Sequence, residues 1–193
     1  AYNTHYLGYN ANMLANEMFL DSADLRSSVV SKAKQVGYTP TSSTASSAVI
    51  DVVVNNASGA SLTMSRGTKF ATSINGQNYN FVNNADVTIT PDNGVYKFSN
   101  LSIFEGTYLN FKYTASTSDI DQRFIIPNDN VDTTTLTVKV QNSSSDSTTN
   151  TYTLADGLTG LTPTSQVYFL QEVENGRYEV YFGDGVLGKA IAD

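Results

Sequence analysis

The sequence predicts an α+β protein that is mostly β, with a short helical N-terminus followed by an antiparallel β-rich, sandwich-like domain. Three observations predict it. Helical periodicity is confined to the first forty residues. From Val49 onward, short β-branched and aromatic runs recur at close spacing. Asn-Gly pairs and Pro/Asp/Gly clusters separate those runs, as turns between antiparallel strands do. The implied division is a helical segment, 1–40, and a β-rich domain, 41–193, with the chain reading as part of something longer at both ends.

The first helix is expected over Asn10–Leu20, where helical spacing brings Met13, Leu14, Met18 and Phe19 near one another. A second follows, with Asp21 or Ser22 as its cap and Asp24 in the first turn, where negative charge suits the helix dipole. Leu25, Val29, Ala33 and Val36 form its apolar stripe, joined by Val30. Lys32 and Lys34 lie near its carboxyl end, Gly37 stands where a left-handed C′ residue belongs, and Pro40 closes it. The small-residue run Thr39–Ala48 is the expected boundary.

Strands are then expected at Val49–Val54, Thr68–Ile74, Tyr79–Val82, Val87–Thr90, Val95–Phe98, Thr107–Thr114, Arg123–Ile126 and Thr135–Val140. In the last of these, Leu136, Val138 and Val140 share a face. Gln141–Asn150 reads as a polar loop. The clearest hairpin joins Val167–Val173 to Tyr178–Phe182 through Asn175-Gly176, a pair that tolerates the positive φ of a type I′ turn. Tyr178, Val180 and Phe182 fall on one face and read as core before interface.

Composition excludes several function classes. The chain has 11 Lys and Arg against 18 Asp and Glu, for a net charge of −7. Nucleic acid and anionic membrane surfaces call for the opposite balance. With no cysteine there is no disulfide, thiolate metal site or thiol nucleophile. No apolar run has the length of a bilayer-spanning helix.

From Gly183 to Lys189 the chain spells G-x-x-x-x-G-K, the phosphate-loop pattern, but Ala190 stands where a magnesium-binding Ser or Thr belongs. The stretch follows a hairpin strand, and Asp184 would put a negative charge into a phosphate cradle. A tight glycine turn is the better reading. Glu172 and Glu179 lie on facing strands of one hairpin, the only arrangement resembling a carboxylate pair, and exposed strand positions carry such residues without catalysis. His5, the single histidine, lies near the N-terminus with no triad around it. Asn128–Asp132, Asp119 and Asp121 offer oxygen ligands but no calcium loop. No cofactor, metal or small-molecule substrate is expected, and no enzymatic activity.

Phe182, Gly183, Asp184, Gly185, Gly188 and Lys189, at the end of the hairpin turning at Asn175 and Gly176, fit an F-G-D-G-x-x-G signature. Upstream, Gly37, Tyr38 and Pro40 fit a G-Y-x-P turn between a helix and a strand, and Arg66–Phe70 with Tyr79–Phe81 fit a later turn and aromatic strand. In order and spacing these pieces resemble the baseplate J-like family, and within it the ring-forming wedge proteins of contractile-tailed bacteriophages. The resemblance implies a structural protein of the virion tail baseplate, assembled in the host bacterial cytoplasm. It further implies association with itself, as a ring or dimer, and with other wedge proteins around the hub, with transmission of the trigger for sheath contraction. Met13, Met18, Phe19 and Leu20 are then the candidate interface. The alternative from another class is a β-sandwich binding module, glycan-binding or adhesin-like, suited by 12 Tyr and opposed by the absence of Trp.

Overall fold

The computed structural model describes residues 2–116, 118–119, 121–173 and 176–191. It is α+β and mostly β: among the described residues two helices, α1 (Tyr2–Glu17) and α2 (Arg26–Gln35), precede eleven strands. These are β1 (Ser47–Val54), β2 (Leu62–Met64), β3 (Lys69–Ile74), β4 (Gln77–Asn83), β5 (Val87–Ile89) and β6 (Tyr96–Glu105). They continue with β7 (Phe124–Ile125), β8 (Val138–Gln141), β9 (Thr149–Leu154), β10 (Val167–Glu172) and β11 (Tyr178–Phe182). The chain forms two compact units, one of Ala1–Ser43 with Lys112–Asp193 and one of Thr44–Phe111. The sequence boundary at 40/41 falls three residues before the first unit boundary, and the β-rich stretch contributes to both units.

The Thr44–Phe111 unit holds a four-stranded antiparallel sheet in the order β1-β6-β4-β3, and a small β2-β5 ladder. Its core is built on β6. Tyr96 and Phe98 are buried, and so are Leu101 and Ile103, so the inward parity changes from even to odd numbers along one strand. The cause is a β-bulge: Ile50 pairs with Leu101 and Val52 with Phe98, leaving Ser99 and Asn100 opposite Asp51 alone. Asn100 adopts φ 55° and donates its N–H to Asp51 Oδ1 at 2.9 Å. Asp51 also pairs with Lys97 at 3.0 Å. The backbone bond from Asn100, then Lys97, holds the Asp51 carboxyl below its ordinary value. Asn75-Gly76 (φ 52°, 79°) and Asn93-Gly94 (φ 50°, 78°) are the expected positive-φ turns, the former joining β3 to β4. Asn83, almost fully buried, ties the Arg66–Phe70 turn by accepting the Thr68 N–H at 2.8 Å and donating to the Ala85 carbonyl at 2.7 Å.

The other unit carries α1, α2 and a five-stranded sheet in the order β7-β11-β10-β9-β8. Ile126, Tyr152, Tyr168, Tyr178 and Val180 form its buried cluster, with Leu136, Val138, Val140 and Phe182 packed against it. The shared face of Tyr178, Val180 and Phe182 is therefore core. Tyr113, Phe124, Phe182 and Tyr152 form a chain of ring contacts with centroids 5.4–5.9 Å apart.

Several expectations are corrected. The sheet is not antiparallel throughout, because β9 and β10 run parallel. β9 lies at the end of what reads as a polar loop, and Thr107–Thr114 is no strand. The Thr135–Val140 strand begins only at Val138, after a 3-10 turn at Thr133–Thr135. α1 starts eight residues earlier than the spacing predicts and stops at Glu17, so Met18, Phe19 and Leu20 follow it in a turn. Neither Asp21 nor Ser22 caps α2. The N-cap is Leu25, and the Glu17 carboxylate accepts the N–H groups of Asp24 and Leu25 at 3.1 and 3.3 Å. A hydrogen bond from Ser28, then these backbone bonds, holds Glu17 below its ordinary pKa. The buried face of α2 is Val30 and Ala33, while Leu25 and Val36 at its ends stay exposed. Its C-terminus is as expected. Gly37 (φ 76°) donates to Lys34 O and Tyr38 donates to Ala33 O, the two bonds of a Schellman motif.

Candidate functional site

The signature loop after β11 is a self-closed structure. Asp184 Oδ1 accepts the N–H groups of Val186 and Leu187, each at 2.9 Å. Gly185 N–H donates to Gly188 O, Gly188 N–H to Thr162 O, and Lys189 N–H to Ser165 O. The amides that a phosphate loop presents to its ligand are thus spent on Asp184 and on the Thr162–Ser165 turn. The bonds from Leu187 and then Val186 hold the Asp184 carboxyl below its ordinary value. Gly183 is required by close approach, since a Cβ there would sit 2.5 Å from the carbonyl oxygens of Gly188 and Leu187. Gly185 (φ 87°) and Gly188 (φ 91°) supply left-handed backbone. Lys189 is exposed, and Phe182 packs on the core.

The hairpin below the loop is paired from Tyr168↔Phe182 to Glu172↔Tyr178, and Val173 N–H closes onto Arg177 O at 2.8 Å. Gly176 has φ 74°, and Asn175 lies outside the described residues. The register separates the two carboxylates. Glu172 faces Tyr178, while Glu179 faces Gln171, so Glu172 and Glu179 project to opposite faces of the sheet. Each is held by an arginine. Arg26 Nε and Nη2 grip Glu172 Oε1 and Oε2 at 2.6 and 2.9 Å. Arg123 Nη1 meets Glu179 Oε1 at 2.6 Å, and Gln171 Nε2 donates to the same oxygen. Burying two anions this way serves architecture; it does not poise an acid beside a base.

Glu172 is where distant motifs meet. Its side chain is 1% exposed and its partner Arg26 is 61% exposed. Lys34 Nζ donates to the Glu172 carbonyl, and Tyr178 Oη donates to the Pro40 carbonyl at 3.3 Å. The Gly37-Tyr38-x-Pro40 turn and the hairpin, about 140 residues apart in sequence, are therefore joined inside one unit. Sequence reasoning missed Arg26 and Glu172 as partners. Their only signal was a basic residue opening α2 and a glutamate at a strand end. A polar cavity of about 450 Å³ lies here, lined by Arg26, Ser42, Asp129, Asn130 and Gly176 among others.

The remaining candidates fall apart from one another. His5 is exposed on α1. In Asn128–Asp132, Asn128 Oδ1 accepts the Asn130 N–H and Asp132 caps the following 3-10 turn through Thr134 at 2.9 Å. Asp119 Oδ1 accepts the Asp121 N–H at 3.2 Å. These are turn contacts. Among the described residues no cluster of three or more His, Cys, Asp or Glu side chains has metal-holding geometry. Met13, Met18, Phe19 and Leu20 are all exposed, the last three by more than half. None of the residues of α1 is buried, and Tyr2, Tyr6, Leu7, Tyr9 and Leu14 also face solvent.

Comparison with known proteins gives the family. Residues 110–193 match the family model described as bacteriophage baseplate wedge protein gp6, third domain. Over 191 residues the chain is 32% identical to the baseplate wedge protein gp6 of Enterobacteria phage T4, an alignment covering 96% of this chain and 27% of that protein. The chain thus spans about a quarter of the length of the curated relative it matches. Both matches carry the wedge part of the sequence resemblance; the baseplate J-like name is in neither. The chain belongs to the family of bacteriophage baseplate wedge proteins.

Proposed function

We propose that this chain is a structural part of a phage tail baseplate wedge, located in the virion. It associates there with itself and with other wedge proteins around the hub, and passes on the rearrangement that triggers sheath contraction. The relative's role as a baseplate wedge protein supports the reading at the level of the baseplate. The observation that carries the assembly role is α1. It is a sixteen-residue helix with no buried residue. Its sequence is poor in helix formers, with four Asn, three Tyr and Gly8. A helix of this length without tertiary burial is marginal in water. Contact with another chain over Met13, Met18, Phe19 and Leu20 supplies what the helix lacks.

The role is mechanical. The two buried glutamates are bound to arginines and serve the fold. The glycan-binding alternative gains nothing from the cavity near Arg26, because its aromatic neighbour Tyr178 is 2% exposed and offers no ring face to a sugar. The test is co-purification with neighbouring wedge proteins of the same phage. Met18→Glu with Phe19→Glu changes only exposed side chains, so the fold is kept while capture is lost. Undiminished capture by the double variant would overturn the assignment of this interface.

A further inference from the structure

The segment Thr107–Thr114 has the composition of a strand, yet it belongs to no sheet. All eight residues are exposed, including Tyr108, Leu109, Phe111 and Tyr113. No backbone hydrogen bond joins them to another described residue. Flexible connectors are rich in Gly, Ser or Pro, and this one has none of them. It is anchored near each end. The Arg66 guanidinium lies 5.1 Å over the Tyr108 ring, and Tyr113 meets Phe124 in a tilted ring contact at 5.5 Å with its hydroxyl donating to the Ile125 carbonyl. Between the anchors the backbone donors and acceptors make no bond to the backbone of another described residue.

The chain also carries a matching unprotected edge. Natural sheets blunt their edges with short strands or with lysines. Here β7 has two residues, β2 and β5 three each, β3 carries Lys69 and β8 carries Lys139. The exception is β1, an eight-residue edge with no Lys or Pro and with Val49, Ile50, Val52, Val53 and Val54 in succession. Its only charge is Asp51, half exposed, and the only charge in the free segment is Lys112.

We propose that residues 109–113 add as an antiparallel strand to the free edge of β1 in a second copy of the chain. The register that sets Lys112 opposite Asp51 also sets Leu109 opposite Val54, Phe111 opposite Val52 and Tyr113 opposite Ile50. These β1 partners are the half-buried, inward positions of the strand, so one alignment satisfies the charges and the apolar face together. Main-chain bonds hold the added strand, and side-chain alternation fixes its register. The pairing rests on the assembly reading only for the presence of further copies.

The test is hydrogen–deuterium exchange with sedimentation on the chain over a concentration series. As a dimer forms, amides in 109–113 and in Asp51–Val54 slow by about tenfold or more while other strands are unchanged. One of two adjacent N–H groups must face the partner, so one of Asn110→Pro and Phe111→Pro abolishes the dimer. Lys112→Glu, which sets two acids opposite each other, weakens it by about tenfold. All three positions are exposed, and unchanged circular dichroism confirms that the fold is intact. A dimer with no added protection in both segments overturns the pairing and leaves the wedge assembly reading standing. A chain that stays monomeric at every concentration also overturns it, and co-purification then judges the assembly reading separately.

Discussion

The Arg26–Glu172 pair permits a prediction with a definite asymmetry. The two partners differ in burial: the Glu172 side chain is 1% exposed and that of Arg26 61%. Removing Arg26 as Arg26→Ala strands a buried carboxylate, which costs about 3–5 kcal/mol when nothing compensates. The Tyr178 hydroxyl, 3.5 Å from Glu172 Oε2, remains as a donor to the carboxylate, so the low end, about 3 kcal/mol, is expected. Removing the charge from the other side, as Glu172→Gln, leaves an arginine that turns into water. The amide keeps the shape and part of the hydrogen bonding, so the cost is about 1–2 kcal/mol. For a chain of this size these losses lower Tm by roughly 10 °C and 5 °C. Urea and thermal unfolding, followed by far-ultraviolet circular dichroism, measure both. The double variant loses less than the sum, because the two act on one interaction. If Glu172→Gln costs as much as Arg26→Ala or more, the argument from unequal burial is refuted.

Other consequences follow from single contacts. Gly183→Ala drives a Cβ into the Gly188 and Leu187 carbonyls 2.5 Å away, so it destabilises the hairpin end by more than about 1–3 kcal/mol, measurable in the same unfolding assay. Tyr96→Phe removes the 2.6 Å bond from the buried tyrosine's hydroxyl to the carbonyl of exposed Gly59 and costs about 0.5–1.5 kcal/mol, with the four-stranded unit losing protection in amide exchange. The Asp184 carboxyl is held below its unfolded value of 3.8, so its contribution is present above that pH and is lost as pH falls through the lower folded value. A carbon-detected titration therefore finds Asp184 changing charge below pH 3.8, with no effect on the loop between pH 5 and 8. A midpoint at or above 3.8 contradicts the loop's hydrogen bonding.

Turns and the C-terminal end of α2 were legible because their chemistry is local. Asn75-Gly76 and Asn93-Gly94 take the positive φ that their side chains allow, and Gly37 ends α2 as its position demands. The hairpin and its loop were also legible, since Asp184 bonds to residues two and three further on. What escaped depends on distant partners. The sequence pattern marks β6 only to Phe98, because the bulge at Asn100 shifts the inward parity from Tyr96 and Phe98 to Leu101 and Ile103. The bulge needs Asp51, 49 residues away. β9 hid among Thr and Asn residues, and only Tyr152 among them is buried. The stop of α1 and the start of α2 are set by Glu17 reaching across a turn, where the helix pattern pointed to Asp21 or Ser22. The Arg26–Glu172 pair spans 146 residues and leaves no periodic trace.

The central claim is that this chain is a baseplate wedge module whose first helix is covered by another protein chain. The measurement that tests it most directly is a cryo-electron microscopy reconstruction of the tail that carries the full protein. The account predicts density for these residues within the baseplate, with α1 and Met18–Leu20 packed against a neighbouring chain. A baseplate in which α1 stands in solvent, or a tail that lacks the protein at the baseplate, would contradict it.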